Sequence, residues 1–203
     1  MKKRFEFNIN KYLLDLAERP IRTKKDIVLL LTETMEQILT RKIIIQKDSG
    51  LEKIIIYVGK MSRIIFSIEK KIFSFAFPFE IYQDEEKNII FQKNEINMDY
   101  IILSKIKSVF YALDDFENLF DIISNFDCDY YKMIIDLITF EDGYVRYDYD
   151  EEHANGKLHP LNHLDINYNG KNQYKIGLNK EIDYEKFIDI INLETNCYFI
   201  EKQ

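Results

Sequence analysis

The sequence predicts an α+β protein with a mostly antiparallel sheet. Three observations carry this. Helical periodicity opens the chain between residues 9 and 42. Runs of β-branched and aromatic residues follow, from Lys42 to Gln92 and again from Tyr130. Between the later runs stand hairpin signals at Asp142-Gly143, Asn155-Gly156 and Asn169-Gly170. The length of 203 residues suits one substantial domain, read as 1–203.

Residues 9–19, "INKYLLDLAER", place Leu13, Leu16 and Ala17 on one helical face, and Pro20 stops them. Thr23 and Asp26 then form a capping arrangement. Behind them Ile27, Leu30, Leu31, Thr34 and Ile38 recur at helical spacing. "KIIIQ", "LEKIIIYVG" and "RIIFSIEKKIFSFAFPFEIY" read as strands. In the last, Phe73, Phe75, Phe77, Phe79 and Ile81 alternate with small or polar residues, the pattern of a half-buried strand. Glu69-Lys70-Lys71 is its hairpin turn, and Pro78 implies an edge or a bulge. "QDEEKN" is a solvated turn before a further strand, "IIFQ". Residues 97–126 read as two helices broken near Asp114. "YYKMIIDLITF" (130–140) reads as a strand and begins a C-terminal meander. Its Asp136 is read as facing a polar sheet edge, or else as a buried acid near a site. "YVRYDYD", "HLDINY" and "QYKIGL" are further strands. A helix from Asp183 closes the chain, with Tyr184, Phe187, Ile188 and Ile191 inward.

Composition excludes several classes. Hydrophobic residues at 46% and charged residues at 31% describe a globular chain rather than a disordered one. With no Trp, the core must be built on Phe, Ile and Leu. Six Gly and three Pro argue against a fibrous chain. Richness in Lys, Ile and Asn suits a bacterial source. "MKKRFEFNIN" has a basic start without an apolar run, so no signal peptide is expected. "IFSFAFPF" is far too short to span a membrane. A cytoplasmic location follows, with Cys128 and Cys197 reduced.

Charge is uneven. Residues 1–75 carry 16 Lys/Arg against 9 Asp/Glu, while the rest carry 12 against 26. Such halves attract one another or support a homodimer, a reading favoured over an acidic partner or nucleic acid because the basic residues are scattered. The pI of 5.1 opposes tight nonspecific nucleic-acid binding.

All three histidines lie within residues 144–170. By strand alternation Arg146, Asp148 and Asp150 share one face of "YVRYDYD". His163, Asp165 and Asn167 share one face of "HLDINY". If the strands pair, Arg146 and Asp148 lie beside His163 and Asp165. His159 precedes Pro160, which disfavours helix, so it belongs to a turn leading into the strand. His153 follows an acidic run and is expected to be exposed. This constellation suits phosphodiester cleavage. Two imidazoles can serve as acid and base, Arg matches phosphate oxygens, and an Asp can fix a histidine tautomer. RNA would supply its own nucleophile, the 2′-OH, and no metal would be required. The competing chemistry is a divalent ion, Zn²⁺ being favoured, on His153, His159 and His163 with Asp148 or Asp165. Taken singly, each histidine is more simply an ordinary loop residue.

Through Arg146, Tyr147, Asp148, His153, His159, Pro160 and His163, the chain resembles a bacterial domain-of-unknown-function family. Its pattern is R-Y-D, a His, then H-P-x-x-H leading into a strand. No activity comes with that resemblance. The Arg-x-Asp strand and His-rich turn are also similar to small bacterial toxins of the TumE kind, which are considerably shorter. That similarity implies RNA as target and a toxin–antitoxin or phage-defence setting, with a cognate antitoxin as partner. The expectation is therefore a His-dependent ribonuclease. Arg146 would bind phosphate, His159 and His163 would move protons, and Asp148 or Asp165 would orient a histidine. The alternative is a noncatalytic partner-binding subunit of a defence or regulatory complex.

Overall fold

In chain order the elements are β1 (Lys3–Asn8), α1 (Lys11–Glu18), α2 (Lys24–Leu39), β2 (Lys53–Val58), β3 (Ser62–Ile68), β4 (Lys71–Ala76), β5 (Glu80–Gln83), β6 (Ile89–Lys93), β7 (Ile96–Asn97), α3 (Tyr100–Ala112), α4 (Cys128–Thr139), β8 (Val145–Tyr149), β9 (Asn162–Asn169), β10 (Asn172–Leu178) and α5 (Tyr184–Ile191). They belong to a computed structural model that describes residues 3–45, 50, 52–113, 124, 127–169 and 172–198. The class is α+β, as the sequence predicts: a seven-stranded sheet, a three-stranded sheet and helices. The chain divides into two compact units. The first holds Met1–Glu6, Asp48–Ala76 and Gly143–Gln203; the second holds Phe7–Lys47 and Phe77–Asp142.

The first unit is built on the large sheet, in the order β1-β2-β3-β4-β8-β9-β10. Every ladder from β2 to β10 is antiparallel. One face is apolar. There Ile55, Tyr57, Ile65, Ile72, Tyr147 and Leu164 pack with Phe187 and Ile188 of α5. Each fully buried aliphatic or aromatic side chain contributes roughly 1.5–3 kcal/mol, before the cost of ordering the chain. Tyr147 ties this layer together. Its hydroxyl donates to Asn162 Oδ1 at 2.7 Å and accepts from the Ile182 N–H at 3.4 Å. Asp183 caps α5 by accepting the Lys186 N–H at 2.8 Å.

The other face begins as an aromatic layer, with Phe66 stacked on Phe73 at 4.9 Å between centroids and Tyr144 beside Phe73 at 6.1 Å. Phe73, Phe75, Phe77, Phe79 and Ile81 are all buried, as expected, and 77–81 alternates, but the β4 part of the stretch is not half-buried. Ile72 and Ser74 are as buried as Phe73 and Phe75, because β4 lies inside the sheet and is covered on both faces. The strand stops at Ala76, and Pro78 falls between β4 and β5, where no ladder needs its missing N–H.

The second unit holds α1 to α4 and the small sheet β5-β6-β7. The α2 capping box forms as its sequence predicts: Thr23 Oγ1 accepts the Asp26 N–H, and Asp26 Oδ2 accepts the Thr23 N–H at 2.8 Å. Lys107 of α3 bridges Glu33 and Glu36 of α2 at 2.9 and 2.5 Å. The described part of "KIIIQ", residues 42–45, does not form a strand. Ile45 makes a single bridge to Phe7, and Asn8 Oδ1 takes the Ile44 N–H at 2.8 Å in place of a ladder. Most of the helix expected after Asp114 lies outside the described residues.

Residues 130–140 are the clearest correction. Up to Thr139 they form a helix, α4, rather than a strand, and Phe140 is its C-cap. Asp127 accepts the Tyr130 N–H at 2.9 Å, which starts the helix. Tyr130, Met133, Ile134 and Leu137 are its buried residues, at helical spacing. Tertiary packing overrides the β-propensity of the Tyr and Ile residues. Asp142-Gly143 consequently joins helix to strand and makes no hairpin. Gly143 takes φ +52°, the left-handed conformation that suits glycine. Asp136 is helical and partly exposed, and it accepts from Asn94 Nδ2 at 2.9 Å. Among the described residues no helix is long and apolar enough to cross a membrane. Cys128 and Cys197 are exposed and unbridged.

Asp127→Ala is expected to cost ~1 kcal/mol of stability in a denaturant titration, the usual value of an N-cap. An unchanged midpoint would show that α4 does not depend on this cap.

Candidate functional site

The charged face of β8, β9 and β10 is set by register. Arg146 lies opposite Asp165, and Asp148 opposite His163. On one side β4 supplies Phe73 opposite Arg146 and Lys71 opposite Asp148. On the other, β10 supplies Lys175 opposite Asp165 and Gly177 opposite His163. Opposed residues share a face, so two cross-strand rows form: Phe73–Arg146–Asp165–Lys175 and Lys71–Asp148–His163–Gly177. The juxtaposition expected from strand alternation is thus the one β8 and β9 adopt.

Arg146 is the hub. Its Nε donates to Asp148 Oδ2 and its Nη2 to Asp165 Oδ2, both at 2.6 Å. Burial opposes the guanidinium charge, but Asp148, Tyr144 and Asp165 outweigh it, and the pKa moves upward. The neighbouring Tyr144 phenol is pushed by burial up to about 12 and stays neutral. The guanidinium is spent on two carboxylates, a different use from the phosphate contact expected of it.

His163 is 1% exposed. Its Nδ1 lies 2.9 Å from the Pro160 carbonyl oxygen, which can only accept, so Nδ1 carries a proton. That turns Nε2 toward the carboxylates, 3.7 Å from Asp148 Oδ2 and 3.9 Å from Asp165 Oδ1. Asp165 Oδ1 is buried and has no hydrogen-bond partner. The nearest ammonium to it is Lys175 Nζ, at 3.6 Å.

His159 stands at the solvent margin, 25% exposed. Its Nε2 is 3.0 Å from Asp150 Oδ2 and its Nδ1 is 3.4 Å from Lys175 Nζ. An acceptor on one side and a donor on the other fix the neutral tautomer with the proton on Nε2. The ring meets His163 edge-on at 4.7 Å. His153 is exposed, and its Nδ1 binds the same Asp150 at 3.0 Å. Burial raises the Asp150 pKa, but the His153 backbone N–H and the side chains of His153 and His159 prevail and hold it at about 2. The three histidines therefore do not converge on one point. Among the described residues the donor set that could hold a cation is Asp148, His163 and Asp165, while His153 and His159 share Asp150.

The loop returning from β8 to β9 makes this geometry. Asp150 N–H donates to the Leu161 carbonyl at 2.9 Å, and Asn155 bridges His159 around the turn at Gly156. Pro160 then packs on Gly177, where a Cβ would stand 2.9 Å from Pro160 Cγ. Three participants carry no role in the sequence expectation: Asp150, Lys175 and Gly177. Asp150 already lay on the polar face. Lys175 was not legible: a two-residue turn at Asn169-Gly170 would set Tyr174 opposite Asp165, and the register shift between Asn172 and Gln173 brings Lys175 there instead. Comparisons with protein-family models, curated proteins and solved structures return no match.

Gly177→Ala is expected to displace Pro160, because a ring held in a closed loop cannot yield as a flexible side chain would. A loss of about 1–3 kcal/mol and a shifted His163 Nδ1–H resonance are predicted. An unshifted resonance would mean that the loop does not set the histidine.

Proposed function

We propose that the first unit cleaves phosphodiester bonds, with single-stranded RNA as the substrate class. The observation that carries this is His159, an oriented imidazole at the solvent margin, placed between a carboxylate and an ammonium. Asp150 holds its tautomer, and Lys175 supplies a cation beside it. Cleavage through a 2′-OH needs those elements: a group that moves a proton near neutral pH and a positive charge for the phosphate. His159 Nδ1 takes the hydroxyl proton once Lys175 turns to a phosphate oxygen, the 2′-oxygen bonds to phosphorus as the P–O5′ bond breaks, and the departing 5′-oxygen takes a proton from water, leaving a 2′,3′-cyclic phosphate. Asp150 stabilises the imidazolium that forms, the role of the carboxylate in an Asp–His pair. His163, too buried to meet substrate, supports the ring of His159 edge-on; Arg146, Asp148 and Asp165 hold the strands that carry them. The toxin–antitoxin or phage-defence setting belongs to this proposal through motif resemblance alone.

One observation favours a second reading, a noncatalytic partner-binding subunit. Arg146 is already neutralised by Asp148 and Asp165, and His163 is buried, as in a structural ion network.

The deciding experiment is cleavage of single-stranded RNA by the purified full chain. His159→Ala should lower the rate by about 10²–10⁴-fold, the usual worth of a general base, with the fold intact by circular dichroism. A folded His159→Ala protein that cleaves at the wild-type rate, or a wild-type protein that cleaves no RNA, would leave the partner-binding reading in its place.

A further inference from the structure

We propose that Asp148, His163 and Asp165 form a binding site for one divalent transition-metal ion, of which Zn²⁺ suits the donors best. The site stands on its own donors and does not depend on RNA cleavage.

Three features converge on a cation. The ligating atoms of the three residues all lie within 4.8 Å of one another. His163 donates its Nδ1–H to the Pro160 carbonyl, the arrangement that fixes the tautomer of a metal-binding histidine and leaves the Nε2 lone pair for the ion. That lone pair faces two carboxylates at 3.7 and 3.9 Å, too far for a direct hydrogen bond. Two ligands, each about 2.1 Å from a shared ion and ~110–130° apart, are separated by about 3.4–3.8 Å, which these distances approach.

The second, independent sign is Asp165 itself. Its side chain is 6% exposed, yet Oδ1 has no hydrogen-bond donor. A buried carboxylate oxygen without a donor is costly, and a cation placed between it, Asp148 and His163 Nε2 would satisfy it. Arg146 holds the Oδ2 atom of both acids and so plays the orienting part that outer groups play around metal ligands. One imidazole and two carboxylates favour Zn²⁺ over Mg²⁺ or Ca²⁺, which prefer oxygen alone. Three protein donors leave a position for a water molecule on the ion.

Charge sets the opposing force. Arg146 already offsets one carboxylate, and Lys175 Nζ stands 3.6 Å from the same Oδ1. The ion must displace Lys175, whose side chain is 38% exposed and has solvent to move into. This competition gives the site a signature that an adventitious surface site lacks: neutralising Lys175 should tighten it.

The test is titration of Zn²⁺ into the chelator-treated full chain by calorimetry, with Mg²⁺ in parallel. One equivalent of Zn²⁺ should bind and Mg²⁺ should not compete. Asp165→Asn should weaken that equivalent at least tenfold, and Lys175→Met should tighten it at least threefold. Zinc held instead by the exposed His153, by Cys128 or by Cys197 would ignore both substitutions, and that result overturns the proposal, as does the absence of a bound equivalent. If Asp165→Asn fails to fold, Lys175→Met decides alone, and unchanged affinity there counts against the site. Because the readout is binding, its failure is separate from any failure to cut RNA.

Discussion

The guanidinium of Arg146, held between Asp148 and Asp165, is the interaction on which the charged face depends. Its two donors reach one carboxylate on its own strand and one on the next, at 2.6 Å each. A slip of one residue between β8 and β9 would separate them and turn either Tyr147 or Leu164 out of the core. The ion network and the hydrophobic layer therefore enforce the same register from opposite faces. Neither charge could be left alone there, since breaking a buried pair strands the remaining partner.

That register sets up everything outward of it. With Asp165 fixed, Lys175 on β10 is brought to its free oxygen; with Asp148 fixed, His163 is brought beside it. The loop closing over Gly177 places a carbonyl on His163 Nδ1 and leaves His159 against Lys175. The site thus grades from a buried, hydrogen-bonded interior at Arg146 to a solvent margin at His159 and His153. Chemistry on a large substrate belongs to the margin, and a bound ion belongs to the interior. The two proposals share Lys175 but differ in their ligating and reacting groups and in their readouts, and they can fail separately.

Much of this was legible in the sequence because strand alternation is a strict code. Arg146, Asp148, His163 and Asp165 each fall on the face that period two assigns. The capping pair Thr23 and Asp26 was equally readable, since each side chain acts on a neighbour three residues away. Residues 130–139 were not. Their Tyr and Ile content favours a strand, and the run is apolar enough to hide its helical spacing. Residues 73–76 misled for a related reason: alternation describes one buried face, while β4 is buried on both. Lys175 escaped notice because its role comes from a neighbour across a hairpin rather than from its own surroundings in sequence.

The most direct test of the central interaction is a double-mutant cycle on Arg146 and Asp165, using Arg146→Met, Asp165→Asn and the pair, followed by denaturant unfolding. Each single change should cost roughly 2–4 kcal/mol, below the range of a fully buried pair because part of the guanidinium meets water. The double change should fall short of their sum by at least about 1 kcal/mol. Losses that add within about 0.5 kcal/mol would contradict the account and make the pairing incidental to the fold.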